Sequence, residues 1–318
     1  MDELVTALKA AAEPTRLRIL ALCLQGELTV SEIVRIMGQS QPRISRHLKL
    51  LADAGLLERI REGSWVFYRL ATSGIGANLA DQISRLIPRE SASFVRDLEQ
   101  LAEVKRDRNQ SAADYFNKNA EHWDRLRSLH IDDREVEKAI LKLLSSGRIG
   151  NLLDIGTGTG RMLELLGPQI DRGEGVDLSP EMLRIARSNL ERAELPHCRV
   201  RQADIFRLPS ADEEFDAAII HQVLHFVDDP AAVITEAARA LTPQGYLVVV
   251  DFAPHDLETL RDEHEHRRLG FGENEIVGWF EAVGLESKSI INLSGDPLTV
   301  TIWMGQKTTT KILESRDQ

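Results

Sequence analysis

The chain has 318 residues, 42% of them hydrophobic but only 5% aromatic, and carries 39 Lys and Arg against 50 Asp and Glu for a net charge of -11. That length predicts two domains with largely aliphatic cores. No apolar run approaches the roughly 20 residues that span a bilayer, no signal-peptide pattern opens the chain, and two cysteines, Cys23 and Cys198, exclude a disulfide scaffold. The expectation is a cytoplasmic protein with no membrane part.

The acidity is uneven. Residues 1–72 hold ten Lys and Arg against eight Asp and Glu, whereas the remainder holds 29 against 42. A slightly basic head on an acidic body suits DNA contact confined to one small module.

The head reads as short helices followed by a hairpin. Thr29 is placed to cap a helix with Glu32 three residues on, a capping-box spacing, with Ile33 and Ile36 inward and Gly38 at its end. Ser40 is placed to cap the next helix, where Ile44, Leu48 and Leu51 make the buried stripe. Gln41, Arg43, Ser45, Arg46, His47 and Lys49 fall outside that stripe. After Gly55, the alternating runs Leu57–Arg61 and Trp65–Leu70 flank Glu62-Gly63-Ser64, which is hairpin chemistry.

From about Ser73 to Leu129 the pattern is helical and charged, broken at Pro88. Ile75, Leu79, Ile83 and Leu86 predict one apolar stripe, and Phe94, Leu98 and Leu101 another. The run Lys105-Arg106-Asp107-Arg108 reads as a solvated face of a connector that also serves for dimerisation.

From Asn151 strands and helices alternate, which predicts a parallel sheet covered on both faces. Strands are expected near 151–155, 173–177, 198–202, 215–220 and 245–251. Helices are expected near 160–166, 179–192, 229–241, 257–268 and 273–283. Two more strand-like runs, Ser287–Leu293 and Leu298–Gly305, surround Gly295-Asp296-Pro297, and the tail after Lys307 is polar.

The first of these strands runs into Gly156-Thr157-Gly158-Thr159-Gly160. Three glycines let backbone approach a ligand closely and present amides at a helix start. A dinucleotide fingerprint would need glycine at position 161, which is Arg161. Asp154 precedes the loop, Asp177 ends the second strand and Asp204 follows the third. In an open α/β sheet these carboxyl ends share one crevice. Asp177 is suited to accept from two ribose hydroxyls, Asp204 from an adenine amino group, and Asp154 to help hold an ammonium. A pyrophosphate beside three acids would be repelled.

This ensemble, with Leu208-Pro209, Phe215-Asp216 and Leu241-Thr242-Pro243-Gln244-Gly245, resembles the class I methyltransferase family over roughly residues 110–305. The resemblance implies a Rossmann-like seven-stranded sheet binding S-adenosylmethionine or its product S-adenosylhomocysteine. It implies a site at Asp154, Gly156, Thr157, Gly158, Gly160, Asp177, Leu178, Met182, Asp204, Ile205 and His221. His221 is placed to touch cofactor or acceptor; His225 is either a base for the acceptor or a support for the next helix. The acceptor itself is not legible. No metal is expected, because His264 and His266, two apart on a helix, diverge by about 200°. Arsenic methylation is disfavoured, since Cys198 stands alone in this part of the chain.

The head resembles the arsenic-repressor (ArsR/SmtB) family of winged-helix regulators, through Glu13-Pro14-Thr15-Arg16-Leu17-Arg18-Ile19-Leu20, the run Gln39 to Leu51, Ala54-Gly55-Leu56-Leu57 and Arg61-Glu62-Gly63. The resemblance implies a homodimer that binds a double-stranded operator through Gln41, Arg43, Ser45, Arg46, His47 and Lys49, with Arg61 reaching the adjacent backbone. Metal-sensing relatives carry cysteines before the turn or Asp and His ligands on the last helix. Here Gly26 to Ser31 has no cysteine, and 75–87 has Asp81 but no histidine. The expected division is therefore 1–72 for the winged helix, 73–129 for the connector, 130–306 for the methyltransferase-like domain and 307–318 for a tail. Expected functions are an adenosyl-responsive regulator, an active small-molecule methyltransferase that also regulates, or a methyltransferase whose head only dimerises.

Overall fold

The computed structural model describes residues 1–62, 64–71, 74–88, 90–123, 133–145 and 148–308. Gly63 of the expected hairpin turn, the side chain of Asp81, the connector beyond Trp123 and the tail from position 309 lie outside the described residues. The chain divides into two compact units, Met1–Ser111 and Ala112–Gln318.

The first unit contains α1 (Asp2–Ala11), α2 (Pro14–Cys23), β1 (Leu28–Thr29), α3 (Val30–Met37), α4 (Gln41–Asp53), β2 (Leu57–Glu62), β3 (Trp65–Leu70), α5 (Gly74–Leu86) and most of α6 (Ala92–Asn119). Helices α3 and α4 are the helix-turn-helix, and β2 and β3 are the antiparallel wing, with β1 against β3. The expected capping box of α3 is present, since Glu32 N–H donates to Thr29 Oγ1 and Thr29 N–H to Glu32 Oε2. Gly38 closes that helix at φ 62°. Ser40 precedes α4 in extended conformation, but its side chain makes no cap; its carbonyl accepts from Arg43 and Ile44 instead. Ile44, Leu48 and Leu51 are fully buried as the stripe requires.

Helix α5 departs in part from its expected stripe. Leu79 and Ile83 pack against the core, but Ile75 and Leu86 are exposed, and Ala80 and Ser84 face inward. Small residues win because the helix packs close: a Cβ on Gly76 would stand 2.0 Å from the Gly55 carbonyl oxygen. Helix α6 is bolted to the winged helix by ion pairs. Arg18 forks onto buried Asp97 at 2.5 and 2.6 Å, Arg35 meets Asp107 at 2.5 Å, and Arg108 meets the capping residue Glu32 at 2.7 Å. Lys105 donates to the Gln25 carbonyl at 2.8 Å. The charge run read as a solvated face thus supplies specific partners to α3 and its neighbours, which charge patterning alone does not reveal.

The second unit continues with α7 (Asp133–Leu144), β4 (Ile149–Ile155), α8 (Arg161–Leu166), β5 (Ile170–Asp177), α9 (Pro180–Arg192), β6 (Cys198–Gln202), β7 (Phe215–His221), α10 (Pro230–Ala240), β8 (Leu241–Phe252), α11 (Thr259–His264), α12 (Glu273–Ala282), β9 (Leu285–Ser294) and β10 (Thr299–Lys307). Among the described residues seven strands form one sheet, ordered β6-β5-β4-β7-β8-β10-β9. Pairings through β8 are parallel, and β10 is antiparallel to both β8 and β9. This is the Rossmann-like seven-stranded sheet expected from the sequence.

Its central strands read as unbroken apolar runs because each face is covered. Leu152, Ala217, Ile219, Val248 and Val250 face one core, and Leu153, Ile155, Ala218, Ile220 and Val249 the other. Burial of these side chains at about 25 cal/mol per Å² is the main force holding the layers together. Two local readings are revised. Strand β8 begins at Leu241 rather than near 245, with Pro243-Gln244 absorbed in a register shift opposite Phe215 to Ala217. The helix expected over 257–268 is only α11; it stops at Glu265, φ 58°, because the amides of Arg267 and Arg268 turn to donate to the His225 carbonyl.

Candidate functional site

The carboxyl ends of β4, β5, β6, β7 and β8 gather the residues of interest in the second unit. The amides of Gly156 and Thr157 both donate to the Val176 carbonyl at 2.9 Å, pinning the loop after β4 against β5. Gly156 sits at φ 72°, and a Cβ there would stand 2.5 Å from Val223 Cγ2. Gly160, at φ 82°, begins α8 with only 3.1 Å between its virtual Cβ and that of Ala186. The glycines are thus required by backbone hand and by packing. Gly158, also at positive φ, has room beside it, the Trp123 indole nitrogen lying 3.6 Å from a virtual Cβ.

The three acids are held differently. Asp154 is buried, and its Oδ2 accepts from the Thr157 hydroxyl at 2.6 Å. Asp177 accepts from Gly158 N–H at 2.9 Å and from Ser179 N–H at 2.8 Å. Burial pushes the Asp177 carboxyl above its ordinary range, opposed by these amide hydrogen bonds. Asp204 is exposed and accepts from Phe206 N–H at 2.9 Å. Ala203 N–H donates to the Asp177 carbonyl, so the ends of β5 and β6 are locked side by side.

Other expected site residues divide by burial. Leu178 is exposed beside Asp177, and Phe206, not singled out from sequence, is exposed beside Asp204. Met182 and Ile205 are instead buried in the packing beneath, Met182 as the residue whose amide Ser179 caps. His221 closes β7 and is buried.

His225 is buried, its Nδ1 2.7 Å from Asp251 Oδ1 at the end of β8, and its ring stacks on His266 with centroids 4.1 Å apart. A carboxylate on Nδ1 fixes the tautomer and ring orientation. His264 turns away to meet the Tyr115 hydroxyl at 2.7 Å. Burial pushes that phenol up to about 12, keeping it neutral. No group of three or more His, Cys, Asp or Glu side chains among the described residues is arranged to hold a metal ion.

An aromatic cluster stands beside the glycine loop. Phe116 lies edge-to-face on Phe226 at 4.8 Å and on Trp123 at 5.3 Å, and Tyr115 meets both Phe116 and Trp123. Asn117 Oδ1 accepts from the Ser179 hydroxyl at 2.7 Å. Sequence pattern assigns these residues to a connector. Their signal is three aromatic residues within nine positions of a chain otherwise poor in them. A pocket of about 220 Å³ lined by Arg148, Asp216, Thr242 and Gln244 lies at the opposite, amino-terminal strand ends and touches none of this chemistry.

In the first unit Gln41, Arg43, Arg46, Lys49 and Arg61 are exposed, and Ser45 is half-buried. His47 departs from expectation. Its side chain is 14% exposed and turned to Glu13 Oε2, 3.8 Å away. Burial lowers its pKa, and the ring faces the start of α2 rather than standing outward.

The fold and site define a winged-helix head joined to an α/β domain built around a glycine loop and strand-end acids. A family model for bacterial regulatory proteins of the arsR family matches residues 13–59, and a methyltransferase-domain model matches 153–249. The chain belongs to the arsR family and carries a C-terminal methyltransferase domain. The arsenical resistance operon repressor of Escherichia coli (strain K12) is 40% identical over 93 residues, 28% of this chain and 80% of that protein. Demethylmenaquinone methyltransferase of Tropheryma whipplei (strain Twist) is 32% identical over 140 residues, 43% of this chain. The chain spans 57% of that relative's length. Among solved structures, a chain of the complex between the Haloferax volcanii Trm112 methyltransferase activator and a methyltransferase shares the fold, with a TM-score of 0.51 and 20% identity over 61% of this chain and 98% of that one.

Proposed function

We propose that this chain is a homodimeric, cytoplasmic DNA-binding regulator whose C-terminal unit binds S-adenosylmethionine or S-adenosylhomocysteine, and whose operator affinity changes with that ligand. The observation that carries the reading is Asp177, tied to Gly158 and flanked by exposed Leu178. A carboxylate already oriented at a strand end suits a ribose diol, and Leu178 and Phe206 offer apolar faces for a flat base. On this reading Asp204 accepts from the base's amino group, and Asp154, Thr157 and the loop meet the methionyl end. Among the described residues, the donor and acceptor set fits a sulfonium nucleoside.

On this reading residues 1–72 grip the duplex. Gln41, Arg43, Ser45, Arg46 and Lys49 meet bases and phosphates, and Arg61 meets the adjacent backbone. Exposed apolar Val5 and Leu8 on α1, Ile75 and Leu86 on α5, and Val95 on α6 support a dimer surface. On this reading the connector, 73–129, carries the signal. Residues 130–306 then bind the adenosyl ligand. Coupling requires the ligand to favour one arrangement of the heads.

A second reading, methyl transfer to a small molecule, is favoured by the His225–Asp251 pair. Bound S-adenosylmethionine supplies an electrophilic methyl group. His221 then borders the reacting centre, and His225, oriented by Asp251, is placed to take a proton. Operator affinity measured by fluorescence anisotropy with and without each adenosyl ligand tests the first reading; a severalfold change supports sensing, and identical affinities with a saturated protein contradict it.

A further inference from the structure

Two buried polar groups at the carboxyl ends of neighbouring strands have no hydrogen-bond partner among the described residues: Nε2 of Gln222 and Oδ2 of Asp251. Gln222 is 7% exposed and Asp251 is fully buried. They stand side by side, since His221 is registered with Val250 and the Gln222 amide donates to the Val250 carbonyl at 2.7 Å. The residue after Gln222, Val223, packs on Gly156 of the glycine loop.

The two groups are complementary. The Gln222 side-chain amide is a donor in want of an acceptor. Asp251 Oδ1 already accepts from His225 and from Phe252 N–H, leaving Oδ2 an acceptor in want of a donor. Leaving such groups unsatisfied costs about 1–3 kcal/mol each in a buried setting, and a ligand bonded to both would recover that cost. A carbonyl or ether satisfies only Gln222, and an ammonium satisfies only Asp251. A hydroxyl satisfies both, accepting from Gln222 while donating to Asp251. The His225 ring that Asp251 holds is itself flanked by aromatic rings, Phe226 and Phe252, with centroids at 4.1 and 5.2 Å.

We infer that Gln222 and Asp251 form the receiving site for the hydroxyl group of a small aromatic molecule, a phenol, bound beside the adenosyl ligand. The inference deepens the reading of the C-terminal unit as an adenosyl-binding methyltransferase domain and rests on it. It makes Gln222 the residue that selects oxygen and Asp251, backed by His225, the acceptor of the hydroxyl hydrogen.

The test is nuclear magnetic resonance on the full-length chain saturated with S-adenosylhomocysteine, following the side-chain amide of Gln222, assigned through Gln222→Leu. Phenol and anisole are the probes, because the methyl ether retains the ring and the accepting oxygen but has no hydrogen for Asp251. Expected is a shift of the Gln222 amide on titration with phenol, binding of anisole weaker by about tenfold, and a similar loss for phenol in Gln222→Leu, each corresponding to one hydrogen bond. Asp251→Asn, checked for folding by circular dichroism, should weaken phenol more than anisole. Equal binding of phenol and anisole, an unmoved Gln222 amide, or undiminished phenol binding by Gln222→Leu overturns the inference. The adenosyl reading is judged separately, by the heat of S-adenosylhomocysteine binding to the same samples before any phenol is added.

Discussion

Asp177 Oδ2 accepts the amide hydrogen of Gly158 at 2.9 Å, so the acid that ends β5 and the glycine loop that follows β4 are fastened to each other. A site locked in this way loses little freedom when a ligand arrives, and preorganisation of that kind raises affinity. The lock depends on glycine at 156, whose left-handed backbone and contact with Val223 leave no room for a side chain.

Gly156→Ala should therefore destabilise the C-terminal unit by about 2–3 kcal/mol, from overpacking and from an unfavourable φ together. Urea unfolding checks this, and adding Val223→Ala should recover only the packing part. An unchanged midpoint would mean the loop is looser than its geometry indicates.

The Arg18–Asp97 pair ties α2 to α6, with the Asp97 side chain 2% exposed. Asp97→Ala strips the partner from a partly buried guanidinium and should cost about 3 kcal/mol. Unfolding of the variant followed by circular dichroism reads the effect. A conservative Asp97→Asn should recover part of it.

Burial pushes the His255 imidazole from 6.5 down to about 4. A histidine whose folded pKa is depressed stays neutral in the fold while the unfolded chain takes up a proton. Its contribution to stability is therefore present above pH 6.5 and is lost as pH falls from 6.5 towards 4. Thermal unfolding across that window should show a decline that His255→Gln flattens.

Exposed Arg43 and Arg46 on α4 should govern duplex binding. Alanine at either is expected to weaken operator affinity and to reduce the slope of log affinity against log salt by about one for each phosphate no longer neutralised. His47→Ala should act mainly through stability, because His47 faces Glu13.

Much of this architecture was legible from local pattern. The capping box at Thr29, the stripe Ile44-Leu48-Leu51 and the strand-loop-helix at 152–166 each follow from spacing that only one local structure satisfies. The strand-end acids followed from the rule that parallel strands deliver their carboxyl ends to one crevice. What escaped was tertiary. The inward face of α5 is set by the close approach of Gly76 to Gly55, and the partners of Asp107 and Arg108 lie more than seventy residues away. Asp251 carried the same signal as Asp177, an acid at a strand end. Gln222 carried none, since nothing in sequence marks a buried amide that lacks a partner.

The central claim is that Asp177 and its loop hold a sulfonium nucleoside. Isothermal calorimetry of the full chain with S-adenosylmethionine and with S-adenosylhomocysteine, on wild type, Asp177→Ala and Asp177→Asn, addresses it directly. Since ribose hydroxyls must donate to an ionised carboxylate, the account predicts clear binding to wild type that weakens as pH falls through the raised Asp177 pKa. It also predicts a loss of about tenfold or more in either variant. Absence of heat with the wild type, or full affinity retained in both variants, contradicts it.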